Sequence, residues 1–204
     1  MCMSQLSLLK KQSFLPYFIT QALGAFNDNL FKNFLLLVIV FSSLYNQAES
    51  AMLVNLAAGL FILPFFLFAP LGGQLADKYE KSRLIKTLKL IEVGVMALGA
   101  WAIQMHSIPL LLGLLFLMGA QSAFFGPVKF ALMPQHLKQK ELLAGNALVE
   151  MGTFLAILGG LYAQVLFFIL KTVHLQPLFA LLYYLFLVLS VVFLFPKHYR
   201  TTLN

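Results

Sequence analysis

Charge is what this chain has least of. Asp, Glu, Lys and Arg make up 10% of its 204 residues, where a soluble domain carries about a quarter. With 61% hydrophobic residues and a mean hydropathy of +0.88, an ordinary water-soluble globule is excluded. The chain also lacks low-complexity tracts, and its 21 phenylalanines exclude a solvated, disordered one. Cysteine is nearly absent. The single Cys2 excludes an internal disulfide and any Cys/His zinc spacing. The four histidines, His106, His136, His174 and His198, fall in loops or tails without metal-ligand spacing, so neither a metal nor a cofactor is expected. No small-residue cleavage pattern follows Lys10 and Lys11, which speaks against a cleavable signal. No nucleophile–base pair, histidine pair or serine elbow is visible, so the chain reads as a non-enzyme.

What is present is a series of long apolar runs. A span needs about 20 apolar residues, and the chain holds six. They run from Phe14 to Leu44, Ala51 to Leu71, Leu84 to Gln104, Ile108 to Phe130, Leu142 to Leu170 and Pro177 to Phe195. The expected fold class is an all-α membrane protein of six transmembrane helices. Its organisation is a cytoplasmic tail over 1–13, a bundle over 14–195 and a second tail over 196–204. In the first run Asn27-Asp28-Asn29 and Lys32-Asn33 interrupt the apolar pattern. The second carries Pro64 and Pro70 near its end.

The bases mark the sides of the membrane. Of the 14 Lys and Arg, 12 fall in the two tails, around Lys78 to Lys89, or around Lys129 to Lys140, all on one side of a six-span chain. The connections YNQAES and MHSIP have none. Cytoplasmic loops are the ones enriched in bases, so both termini are expected in the cytoplasm. A basic excess of +7 distributed in this way points to a membrane, not to nucleic acid.

Charge inside the bilayer costs about 2.5–3.5 kcal/mol per residue and therefore has a partner or a task. The first span carries the densest set. Asp28 and Lys32 are four apart and share a helix face. Gln21 lies seven residues before Asp28, on its stripe, and Asn29 and Asn33 occupy the adjacent one. Asp28 stands about 21 Å along the span at about 1.5 Å per residue. Two readings follow. Asp28 lines a central cavity and binds a cationic group or a proton, or Asp28 and Lys32 neutralise each other and only specify packing. The amide neighbours favour the cavity. In the fifth span Asn146, Glu150 and Thr153 form a polar stripe, while Gly145, Gly152 and Gly159 form a small-residue stripe that lets helices approach closely. Glu150 faces the cavity or pairs with a base such as Lys129 or Arg83. Glu92, three residues after Lys89, reads as an interfacial pair. Gly119, Gln121, Ser122, Gly126-Pro127 and Lys129 make the fourth span's end small, polar and kinkable.

Between the second and third spans stands GGQLADKYEKSR. Glycines would end the helix there, an acid follows, and bases hold the loop at the surface. The segment resembles the loop motif of the major facilitator superfamily, G-x-L-A-D-[RK]-x-x-[RK]-[RK]. Gly73, Leu75, Ala76, Asp77, Lys78 and Lys81 match it; Ser82 replaces a base and Glu80 stands where glycine is common. The resemblance implies a gating role for Gly73, Asp77, Lys78, Lys81 and Arg83. Three further blocks, AFNDNLFK from Ala25, FGPVKF from Phe125 with LMPQ from Leu132, and ELLAGNALVEMGT from Glu141, resemble the lysophospholipid transporter branch of that superfamily. The likeness extends from about residue 15 to 195 and covers only the N-terminal six-helix half of a twelve-helix fold built on a 3+3 inverted repeat.

The resemblance implies a membrane transporter, or a truncated half of one, that moves lysophospholipid, such as lysophosphatidylethanolamine, across a bacterial inner membrane for reacylation. Asp28, Lys32, Asn29, Gln21, Asn146 and Glu150 are the substrate-binding candidates. Implied partners are membrane lipids, a C-terminal half or second copy, and an acyltransferase or acyl-ACP synthetase. Two alternatives stand beside it: a general facilitator of small solutes, and a membrane module of a lysophospholipid acyltransferase system.

Overall fold

The computed structural model describes the backbone of residues 5–42 and 44–171, with side chains for 6–42 and 44–166. The described residues form five long helices and no strand: α1 (Leu15–Val40), α2 (Gln47–Lys78), α3 (Lys81–Gln104), α4 (Ile108–His136) and α5 (Leu142–Lys171). Short 3-10 helices cover Gln5–Lys10 and Gln139–Glu141. Among the described residues four stretches are long and apolar enough to cross a membrane: Leu15–Val40, Gln47–Lys78, Ile108–His136 and Gln139–Leu166. At 24 residues α3 spans about 36 Å but is not among them, and its interior holds Lys89 and Glu92. The sixth expected span, Pro177 to Phe195, lies outside the described residues.

Several boundaries differ from the apolar runs. The amides and charges of the first run do not break it, and α1 is continuous through Asn27, Asp28 and Asn29. The second run continues past Gly72 and Gly73, so Gly73, Asp77 and Lys78 are helical and α2 ends only at its cap Tyr79. Gly72 does not terminate the helix; it lets α2 approach α4. A Cβ there would lie 3.2 Å from both the Ala123 carbonyl oxygen and the Phe124 Cα. Pro64 and Pro70 lie inside α2, and Pro127 and Pro134 inside α4. At the other end of α2, Asn46 caps the helix. Its side chain accepts from the Glu49 amide at 2.9 Å, and Glu49 accepts from the Asn46 amide at 3.0 Å. This reciprocal box satisfies two otherwise orphaned donors.

The described residues divide into two compact units: those up to Asn27 with those from Gln135 to Lys171, and Asp28–Pro134. In the first, Leu8, Phe14, Tyr17, Leu148 and Val149 are buried. The small-residue stripe of α5 meets α1 as its spacing predicts. A Cβ at Gly152 would strike the Phe18 ring at 2.7 Å, and one at Gly159 would reach the Phe26 ring at 3.4 Å. Lys11 and Glu141 form an ion pair at 2.7 Å. His136 is not in a loop: it is the last residue of α4, and its ring stacks on Tyr17.

In the second unit Phe31, Leu35 and Ile39 of α1 are buried together with Val95 and Met96 of α3 and Leu111, Leu115 and Met118 of α4. Phe31 fills the space that a Cβ on Gly99 would need. Phe68 of α2 stacks on Phe124 and meets Phe116 edge-on. Phe66 is 78% exposed and Tyr162 75%. Large apolar side chains displayed on this scale suit a helix surface covered by lipid tails.

Candidate functional site

The second unit contains a chain of polar side chains within an apolar surround. It begins on α1. Asp28 accepts a hydrogen bond through Oδ2 from the Ser122 hydroxyl of α4 at 2.5 Å. The Ser122 oxygen also lies 3.1 Å from Gln121 Oε1. The Gln121 amide donates to Glu92 Oε2 of α3 at 3.3 Å. Glu92 takes a second donor, the Lys89 ammonium, at 2.5 Å. The Lys89 and Glu92 side chains are 2% and 3% exposed, so this pair is fully desolvated. Lys89 also stands 4.9 Å from the centre of the Phe125 ring, whose face attracts a cation. Three helices thus contribute one connected set: Asp28, Ser122, Gln121, Glu92 and Lys89.

Lys32 has a separate position. Its ammonium donates to Asn29 Oδ1 one turn earlier at 3.1 Å and lies 5.3 Å from the Phe61 ring centre of α2. No ion pair joins it to Asp28 among the described residues, so the simple self-neutralised pair is not formed. An ammonium has three donors, and one is engaged with protein. Asp28 is in the complementary condition: its Oδ1 is buried without a hydrogen-bond partner among the described residues. An unmatched buried carboxylate oxygen is costly, and it is the type of group a ligand or proton satisfies. The site therefore offers one spare acceptor and spare donors, on residues four apart in α1.

The remaining expected site residues are distributed elsewhere. Gln21 is buried and both ends of its amide are engaged with α5. Nε2 donates to the Val149 carbonyl at 3.0 Å, and Oε1 accepts from Thr153 at 3.1 Å. It joins two helices in the first unit, whereas Asp28, Asn29 and Lys32 belong to the second. Asn146 and Glu150 are exposed on α5, with Glu150 in electrostatic reach of the Tyr17 hydroxyl. At the α2–α3 junction, Asp77, Lys78 and Arg83 are exposed and Gly73 and Lys81 half-buried. Arg83 pairs with Glu80 at 2.7 Å, and Lys78 lies over the Tyr79 ring.

Sequence reading missed the connection of Asp28 to α3 and α4. Glu92 and Lys89 form the expected i,i+3 pair, but it is sealed in the helix packing and is not interfacial. Gln121 and Ser122 stood out only as small and polar. A charged pair three apart and an adjacent Gln-Ser within apolar helices were the available signals.

Comparison with known proteins shows which class of membrane protein this is. The chain belongs to the Major Facilitator Superfamily, which it matches over residues 13–204. It is an integral membrane protein of a transporter family. Among individual proteins it is 32% identical over 144 residues to the lysophospholipid transporter LplT of Escherichia coli strain K12 / DH10B, and equally to LplT of Escherichia coli O157:H7 and of Shigella boydii serotype 18. The match covers 70% of this chain and 33% of each relative, so the chain spans about a third of the length of these curated relatives. No solved structure matches.

Proposed function

We propose that this chain supplies the headgroup-binding half of a carrier that moves lysophospholipid, such as lysophosphatidylethanolamine, across a bacterial inner membrane for reacylation. In this reading the chain is a six-helix bundle over 14–195 with a 3+3 inverted repeat, flanked by short cytoplasmic tails at both ends. It works with a second six-helix half or a second copy, and it hands its lipid to an acyltransferase or acyl-ACP synthetase.

One observation carries the reading: Asp28 has a buried oxygen without a partner while Lys32, one turn on, keeps donors to spare. A zwitterionic headgroup has an ammonium for the first and a phosphate for the second. Asn29 orients Lys32. The likeness to LplT supports the choice of lipid over a small solute. Asn146 and Glu150 supply an exposed polar face on α5, and Gln21 holds α5 against α1. Gly73, Asp77, Lys78, Lys81 and Arg83 form the cytoplasmic gate. Transport then needs two bundle arrangements with unequal contacts to substrate.

The test is uptake of labelled lysophosphatidylethanolamine by proteoliposomes, run beside a panel of small solutes. Lysolipid uptake is expected, and Asp28→Asn is expected to abolish it at equal expression. Uptake of the solutes in place of the lipid would favour a general facilitator. Unchanged lysolipid uptake in the variant would remove Asp28 from substrate binding.

A further inference from the structure

One end of the first unit carries more positive charge than it neutralises. No acid stands between Gln5 and Asn27, and Glu141 is the only one between Gln135 and Val149. The same two stretches hold Lys10, Lys11, Lys138 and Lys140. Glu141 is already engaged. Its Oε2 accepts from the Lys11 ammonium at 2.7 Å and from the Lys138 backbone amide at 3.1 Å. Lys10, Lys138 and Lys140 are exposed, and no ion pair holds them among the described residues.

That single oxygen also fixes where the three spare ammoniums start from. Lys10 precedes Lys11, Lys140 precedes Glu141, and Lys138 is itself bonded through its backbone. The 3-10 helix Gln5–Lys10 packs against α5, with Leu8 buried beneath it. Residues 130 apart in sequence are thus drawn into one basic cluster. Like charges gathered in this way repel one another, and the cluster lacks a counter-charge.

The surroundings decide which counter-charge fits. In the same stretches Leu143 is 83% exposed, Leu6 59% and Leu15 36%. Ammoniums beside bare leucines match the boundary of a bilayer, where acyl chains cover the leucines and headgroup phosphates meet the lysines. A soluble acidic protein or a nucleic acid would answer the lysines but leave the leucines against water.

We propose that this end of the first unit binds an anionic phospholipid of the surrounding membrane, with Lys10, Lys138 and Lys140 on its phosphate and Glu141 as the positioning residue. The lipid is a resident of the protein boundary, not cargo, so the proposal stands apart from the transport reading.

The experiment is photo-crosslinking of the full chain in phosphatidylcholine vesicles with a diazirine-bearing phosphatidylglycerol, mapped by mass spectrometry of its peptides. Labelling is expected on the peptides that hold Leu6, Leu15 and Leu143. Unlabelled phosphatidylglycerol should suppress it, and neither phosphatidylcholine nor glycerol phosphate should. Lys10→Gln, Lys138→Gln and Lys140→Gln are each expected to weaken labelling there about fivefold. Labelling around Phe66 on α2, which is exposed in the other unit, is the internal control for insertion and should not change. Glu141→Gln is expected to lower labelling although it makes this end more positive, and Glu141→Asp, which keeps the carboxylate, to recover part of it. Equal labelling by a phosphatidylcholine probe, suppression by glycerol phosphate, or no greater loss at these peptides than around Phe66 in the lysine variants would each overturn the proposal. Stronger labelling in Glu141→Gln would show diffuse charge in place of a positioned site and overturn it as well.

Discussion

A buried ion pair between Lys89 and Glu92 reveals how strongly single residues shape this molecule. Each charge is tolerated because the other is present, and Gln121 and the Phe125 ring complete the surround. Removing one partner strands the other in an apolar interior. Such single losses cost about 3–5 kcal/mol, whereas replacing both by apolar residues of similar volume is often nearly neutral. Lys89→Met or Glu92→Leu should therefore lower the unfolding midpoint in detergent sharply, and the double replacement should recover most of it. Equal destabilisation by the single and double variants would show that the pair is not the cause. The sequence makes these residues visible because charge inside an apolar helix is expensive. It does not place them, because an i,i+3 pair reads alike at an interface and in a core. The bond from Ser122 to Asp28 was illegible, since 94 residues separate them and no local spacing reports such a neighbour.

Among the helices, close approach is controlled by glycines whose positions carry different obligations. A Cβ at Gly119 of α4 would collide with the Phe61 backbone carbonyl of α2 and reach Pro64 at 3.3 Å. A backbone oxygen cannot swing aside, and overpacking of this type costs about 1–3 kcal/mol. At Gly126, seven residues on, an added Cβ meets nothing within 4 Å. Gly119→Ala should thus reduce thermal stability, and Gly126→Ala should leave it unchanged or raise it slightly through helix propensity. Equal effects of the two, read by thermal unfolding in detergent, would refute the α2–α4 contact. The existence and order of the five described helices were legible in the apolar runs, and the glycine stripe of α5 correctly announced a close partner. Helix ends were less legible. Gly72 and Gly73 look like a stop, but Gly72 is glycine because α4 lies against it, so α2 runs on to Lys78.

For the molecule as a whole, alternation of bare and basic connections sets the expected orientation. Ala48 follows the base-free link after α1, and Lys78 ends α2 at the basic one; both are exposed. With Cys2, the only native thiol, replaced by serine, a membrane-impermeant thiol reagent should label Ala48→Cys in intact cells and Lys78→Cys only after permeabilisation. Labelling of both from the same side would break the topology. The expected orientation rests on the sequence alone, because Lys and Arg resist translocation. The division of the described chain between Asn27 and Asp28 was not legible: polar residues interrupt the apolar pattern there, but α1 runs through them as one helix.

The polar interior of α3 has a consequence for biosynthesis. A helix with Lys89 and Glu92 in its interior is a poor candidate to leave the translocon alone, because each charge raises the cost of partitioning into lipid. Its shielding contacts lie partly on α4, which emerges later from the ribosome. The two segments are therefore best delivered as a pair, with α3 held in the aqueous channel until Gln121 arrives to shield it.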